Sequence, residues 1–184
     1  MTSPILVVGS GLAGWTCVRE LRKQGSTAPL TLVTADAGDF YAKPTLSNAF
    51  AQRRGPAQLV TTAARSMAES CNVTLLCNTR VQSIDCAAQC LQTDQGTLDY
   101  QQLVLASGAQ PIRVPLQGDA AGQVLSINSL DDFSRFYARL TGTDSYQNKS
   151  VDRPPRVLIM GAGLIGCEFA NDLVGVGCRV DLVD

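Results

Sequence analysis

The chain has 184 residues, 45% of them hydrophobic and 17% charged, which is enough apolar material for a folded core; at a soft rule of about 150 residues per domain it makes one to two domains. Its 15 Lys and Arg against 16 Asp and Glu leave a net charge of -1, so no overall positive field exists to attract nucleic acid or anionic lipid. Histidine is absent, which excludes Ser-His-Asp and Cys-His mechanisms and every metal site built on imidazole. No apolar run reaches the roughly 18 residues of a membrane span. Only Met1 to Pro4 precede the first apolar strand, so no signal peptide is expected and a cytoplasmic location is. The seven cysteines are scattered without a CxxC pair, and most of them read as small buried hydrophobes of a reducing compartment. Cys86 and Cys90 stand closest, but no second pair completes a tetrahedral site, and no metal is expected.

Ile5-Leu6-Val7-Val8 is a short aliphatic strand that runs into Gly9-Ser10-Gly11-Leu12-Ala13-Gly14. Trp15 to Gln24 then has the apolar spacing of a surface helix, Gly25 stops it, and Leu30 to Thr34 forms a second strand closing at Asp36. This is a βαβ unit with a GxGxxG turn and an acid roughly 20 residues further on, the pattern of a dinucleotide site. Gly9 permits the tight turn, Gly11 lets a pyrophosphate approach the backbone, and Gly14 allows close packing of the helix. The helix start offers free N–H groups with partial positive charge, and Asp36 would hold ribose hydroxyls. The alternative is an ordinary βα turn that holds no ligand.

Residues 40 to 54 form a polar loop containing Phe40, Tyr41, Lys43 and Pro44, followed by Arg53-Arg54-Gly55. Val73 to Cys77, Thr79 to Cys86, Gln89 to Thr93 and Thr97 to Tyr100 alternate as short strands, with Asp94-Gln95-Gly96 as a turn. Together they predict an antiparallel β-meander inserted in the α/β domain. Leu103 to Ala106 is a further strand ending in Ser107-Gly108-Ala109, where the carboxyl end of a sheet presents backbone to a ligand. Ser129 with Asp132 gives a capping-box pattern that opens a helix to about Leu140. Thr141 to Pro155 reads as a linker.

The opening pattern then returns. Arg156 to Met160 is a strand, Gly161-Ala162-Gly163-Leu164-Ile165-Gly166 a second GxGxxG, Cys167 to Val176 a helix, and Arg179 to Val183 a strand closing at Asp184. Two such fingerprints in one chain point to two dinucleotides, most simply in an electron-transfer flavoenzyme where one cofactor delivers hydride and the other stores it. Acids at both strand ends favour an unphosphorylated ribose, so the second site is expected to prefer NAD over NADP. A different class also fits, a non-catalytic nucleotide-binding module whose second fingerprint is structural.

The stretches GSGLAG at 9 to 14, TADAGDFYAKPTLSNAF at 34 to 50, LVLASGAQPIRVP at 103 to 115 and GAGLIGCEFANDL at 161 to 173 resemble the pyridine nucleotide-disulfide oxidoreductase superfamily, and within it the rubredoxin-NAD reductases. The resemblance runs along the whole chain and implies FAD and NAD as cofactors. It implies an α/β fold: a three-layer FAD/NAD(P)-binding Rossmann-like domain with the inserted meander, then the truncated start of a second Rossmann-like domain. The corresponding divisions are 1–118, 119–155 and 156–184. By resemblance, Gly9, Ser10, Gly11, Leu12, Ala13 and Gly14 wrap the FAD pyrophosphate, and Thr34, Ala35 and Asp36 border the adenosine ribose. Val81 is placed near the adenine, and Ala106, Ser107 and Gly108 match a segment that lies along the cofactor. Lys43 approaches the flavin as a partly buried cation able to stabilise charge on the reduced ring. Gly161, Gly163, Leu164, Ile165, Gly166 and Asp184 form the NAD site. Glu168, in the first turn of the second helix, lies near flavin and nicotinamide, and Lys43 and Glu168 are the catalytic candidates. Their bland alternatives are a solvated loop lysine and an acid that only complements the helix dipole.

No cysteine occurs in residues 40 to 55, where disulfide-reducing relatives carry their redox thiols. The resemblance therefore implies an external acceptor, rubredoxin or another small iron–sulfur protein, in a route often serving alkane hydroxylation; ferredoxin and oxygen are the alternatives. Arg53-Arg54 would suit an acidic partner, or are simply solvated. No nucleic-acid or membrane partner is expected. Relatives continue into a third FAD-binding segment and a dimerisation domain with no counterpart before Asp184, so the second domain is expected to leave apolar surface exposed.

Overall fold

The computed structural model describes residues 3–142 and 154–184. The packing divides the chain into two compact units, one formed by residues up to Tyr41 with Val60–Ala109, the other by Ala42–Leu59 with Gln110–Asp184.

The first unit is built on a parallel sheet. Strands β1 (Ile5–Val8) and β2 (Leu30–Val33) are nearly continuous aliphatic runs, as strands covered on both faces must be. Helix α1 (Leu12–Lys23) joins them and begins at Leu12, earlier than the apolar spacing from Trp15 indicates. Its buried face carries Gly14, Trp15 and Val18. The sheet order is β3-β2-β1-β7, with β3 at Thr74–Leu76 and β7 at Gln102–Leu105, and every pairing is parallel.

The strand expected at Val73 to Cys77 does not join the meander: Thr31, Leu32 and Val33 pair in parallel with Thr74, Leu75 and Leu76. The reason is helix α3 (Ala64–Cys71), which supplies the crossover that parallel pairing requires. Its buried positions Ala64, Met67, Ala68 and Cys71 have helical spacing, but small side chains weaken the signal. The antiparallel sheet therefore has three strands, β4 (Val81–Asp85), β5 (Cys90–Thr93) and β6 (Gly96–Asp99). One core cluster joins Ile5 and Val7 to Trp15, Val18, Met67 and Cys71 of the helices; alternate residues Leu6 and Val8 meet Leu91, Leu98 and Tyr100 of the meander side. Helices, parallel sheet and meander thus make three layers, as expected from sequence.

In the second unit, residues 43–48 wind into a 3-10 helix, where an ordered loop was expected, and α2 (Pro56–Leu59) follows. Helix α4 (Leu130–Thr141) has the expected capping box: Ser129 Oγ accepts from Asp132 N at 3.1 Å and Asp132 Oδ2 accepts from Ser129 N at 3.0 Å. Phe133 is fully buried, and Phe50 stacks on Tyr137 with centroids 5.4 Å apart. Strands β8 (Arg156–Met160) and β9 (Arg179–Val183) pair in parallel around helix α5 (Leu164–Gly175). The linker expected at Thr141 to Pro155 lies mostly outside the described residues.

Candidate functional site

The carboxyl ends of β1 and β7 lie side by side, at the point where the sheet order reverses direction, which is where open α/β sheets bind ligands. Gly9 has a φ of +107°, and a Cβ there would stand 2.2 Å from the Ala106 carbonyl oxygen. The structure therefore brings together the Gly9–Gly14 and Ala106–Gly108 segments, which the sequence offers as two separate candidates. A Cβ on Gly14 would fall 1.8 Å from the Gly9 oxygen, so this glycine lets α1 fold back on its own turn. A Cβ on Gly11 would meet nothing within 4 Å. Gly11 is thus dispensable for protein packing, and it borders the open helix start. Leu12 is 63% exposed there and Ala13 is exposed beside it.

Asp36 is oriented by its neighbours. Its Oδ1 accepts from Ser10 Oγ at 2.9 Å, Thr34 Oγ1 at 2.7 Å and Gly38 N at 2.9 Å. Ser10 and Thr34 are each 5% exposed and their hydroxyls lie 2.9 Å apart. Ser10 thus spends its side chain on Asp36 and leaves its backbone to the glycine turn. Ala35 and Asp36 are exposed, while the chain beside Val81 runs along them: Asn78 N donates to the Asp36 carbonyl at 2.9 Å and Thr79 N to the Thr34 carbonyl at 2.8 Å. Cys77 donates Sγ–H to the Ala37 carbonyl at 3.0 Å. Burial, then the charges of Asp36 and Asp39, push this thiol above its ordinary range, which makes it a poor nucleophile.

The second unit repeats the glycine geometry. Gly161 has a φ of +108°, a Cβ on Gly166 would fall 1.9 Å from the Gly161 oxygen, and a Cβ on Gly163 would meet nothing within 4 Å. The amides of Gly9 and Gly161 each donate at 2.8 Å to the last residue of the neighbouring strand, Val33 and Val183. Leu164 and Ile165 are 78% and 65% exposed at the helix start, and Asp184 Oδ1 accepts from Ala162 N at 3.1 Å. Both turns have the open cradle and free helix start that a dinucleotide diphosphate requires.

Lys43 is exposed and donates Nζ–H to Asn128 Oδ1 at 3.3 Å, so the expected partial burial is not found. Glu168 lies beyond the first turn of α5, in which no acid occurs, and its place as a simple helix-dipole partner weakens accordingly. Its Oε2 accepts from Ser47 Oγ at 2.6 Å. Ser47 and the buried Asp172, which accepts from the Phe50 and Ala51 amides, belong to no motif that marks them in the sequence. The available signal was a pair of acids four residues apart in a helix with no other charged residue. Arg54 bonds the Gln58 carbonyl. Among the described residues no helix is long and apolar enough to cross a membrane.

The sequence pattern of pyridine nucleotide-disulphide oxidoreductases matches residues 3–184. The chain belongs to this family. Rubredoxin-NAD(+) reductase of Alcanivorax borkumensis is 40% identical over 98% of the chain and 44% of its own length. Nitric oxide reductase FlRd-NAD(+) reductase of Aliivibrio fischeri is 36% identical over 100% of the chain and 45% of its own. The chain thus spans less than half the length of these curated relatives. Among solved structures, a chain of a covalent putidaredoxin reductase–putidaredoxin complex shares 27% identity, with a TM-score of 0.81 over 99% of this chain and 42% of the other. Membership in the oxidoreductase family agrees with the α/β architecture and with the paired glycine turns.

Proposed function

We propose that this chain is the N-terminal portion of an FAD-dependent NADH:rubredoxin reductase that carries electrons from NADH through FAD to rubredoxin. The observation that carries the reading is the pair of glycine turns, each with a positive φ at its first glycine and an open cradle at its second. In this reading residues 1–118 hold FAD, 119–155 connect, and 156–184 begin the NAD site. Gly9–Gly14, Thr34–Asp36, Val81 and Ala106–Gly108 serve FAD; Gly161, Gly163–Gly166 and Asp184 serve NAD. When bound, the flavin would supply the exchange between a two-electron hydride donor and a one-electron acceptor. The protein contributes placement and electrostatics, with no proton transfer asked of a side chain. Lys43 supplies a positive charge and Glu168 a hydrogen-bonding carboxylate, and these are the catalytic candidates. The reading extends to a cytoplasmic setting and to a supply of electrons for alkane hydroxylation.

The test uses the full-length gene product, purified and mixed with NADH without oxygen while flavin absorbance is followed. Bleaching is expected, and faster reoxidation by rubredoxin than by ferredoxin or oxygen. A colourless protein, or flavin unaffected by NADH, rejects the reading. Preference for ferredoxin or oxygen moves it to the alternative reductase or oxidase.

A further inference from the structure

The only charged residues of helix α5, Glu168 and Asp172, lie four residues apart and share a face. Like charges at that spacing weaken a helix, and among the described residues no Lys or Arg pairs with either. Asp172 is moreover only 3% exposed. Burying a carboxylate is costly unless hydrogen bonds meet it, and apolar residues of similar volume often serve stability as well. Packing alone could hold this contact, since Leu46, Ala49 and Phe50 are buried on the 43–51 segment and Phe169 and Leu173 on α5.

What the acids add is direction. Phe50 N donates to Asp172 Oδ2 at 2.9 Å and Ala51 N to Oδ1 at 2.7 Å, so two consecutive amides each occupy one carboxylate oxygen. One turn earlier Ser47, 4% exposed, donates to Glu168 Oε2 at 2.6 Å. The 43–51 segment is therefore tied to α5 at two successive rungs. We propose that Asp172 is a positioning residue: by clamping the Phe50 and Ala51 amides it sets the register of the segment on α5, so that Ser47 holds the Glu168 carboxylate in one orientation. The inference rests on the electron-transfer reading, in which Glu168 acts beside the redox cofactors.

In nucleotide-free protein, Asp172→Asn offers one acceptor where there were two, and the Phe50 and Ala51 amides are expected to exchange hydrogen about tenfold faster or more. In the flavin-loaded full-length gene product, Asp172→Asn and Glu168→Gln are each expected to slow single-turnover flavin reduction by about tenfold, with FAD content and half-saturating NADH within about twofold. The double variant falls no further than the worse single, because both act through one carboxylate. Ser47→Ala matches Asp172→Asn, and Ser47→Thr, which keeps the hydroxyl, stays within about twofold of wild type. The serine pair carries the test if Asp172→Asn does not fold. Multiplying effects in the double variant, unchanged amide exchange, or a Ser47→Thr as slow as Ser47→Ala overturns the positioning role alone. Wild-type flavin that NADH does not reduce overturns the electron-transfer reading and this role with it.

Discussion

At the scale of single residues, the two kinds of glycine in each fingerprint separate folding from binding. Gly14 is needed by the protein itself, because a methyl group there would overlap the Gly9 carbonyl at 1.8 Å, a contact backbone cannot relieve. Gly11 has no such constraint, and its φ of -67° suits any residue. Gly11→Ala is therefore expected to keep thermal stability within about 1 kcal/mol of wild type, the usual range at a helix N-cap, while FAD affinity drops at least about tenfold. Gly14→Ala is expected to lower stability by about 2 kcal/mol or more and to lose FAD as a consequence. Thermal unfolding without cofactor and a flavin fluorescence titration check both; a destabilised Gly11→Ala with normal affinity would reverse the assignment. These glycines were legible in the sequence because their role is local, set by a turn and the helix after it. Ser47 and Asp172 were not, because a serine in a polar loop and an aspartate inside a helix gain meaning only once the fold puts them beside the Glu168 carboxylate and two backbone amides.

At the scale of elements, the same distinction explains α4 and α3. The start of α4 was readable because Ser129 and Asp132 satisfy each other's backbone amides within one turn. Helix α3 was not, since its buried face uses alanine, methionine and cysteine, and the parallel pairing of β3 depends on that helix. The α4 cap carries a pH signature. Burial pushes the Asp132 carboxyl up, but hydrogen bonds from the Ser129 hydroxyl, the Asn128 amide, Arg135 and the Ser129 amide outweigh it and hold the group below its usual 3.8. A carboxyl held low in the folded state adds stability that is present above the unfolded value and lost as pH falls through the folded one. Asp132→Asn is expected to cost about 0.5–2 kcal/mol at pH 7, with the deficit shrinking once pH drops below 3.8. Urea unfolding of both proteins at pH 7 and near pH 3 measures it, and an equal deficit at both pH values would mean that the charge is not the cause.

At the scale of the molecule, the two units repeat one glycine geometry but differ in how much of their sheet is enclosed. In the first unit the central strands are covered on both faces, with Val7 and Leu32 fully buried. In the second, a two-stranded parallel sheet leaves Leu158 62%, Met160 47% and Leu182 38% exposed. Parallel sheets ordinarily have both faces covered, and apolar surface of this kind attracts partners or dyes. If the chain is, as proposed, the N-terminal portion of a longer reductase, residues 1–184 produced alone are expected to take up FAD weakly, to bind an apolar fluorescent dye strongly, and to oxidise NADH at under about 1% of the rate of that longer protein, a deficit of roughly 2.7 kcal/mol in barrier terms. Stopped-flow flavin reduction and dye titration on both proteins check this. The physical reason is that hydride transfer needs the nicotinamide held within about 3–3.5 Å of its target, a placement that costs entropy and must be provided by enclosed, preorganised walls. If residues 1–184 alone oxidise NADH at the full rate, the exposed faces of β8 and β9 play no part in that placement, and the glycine turns suffice.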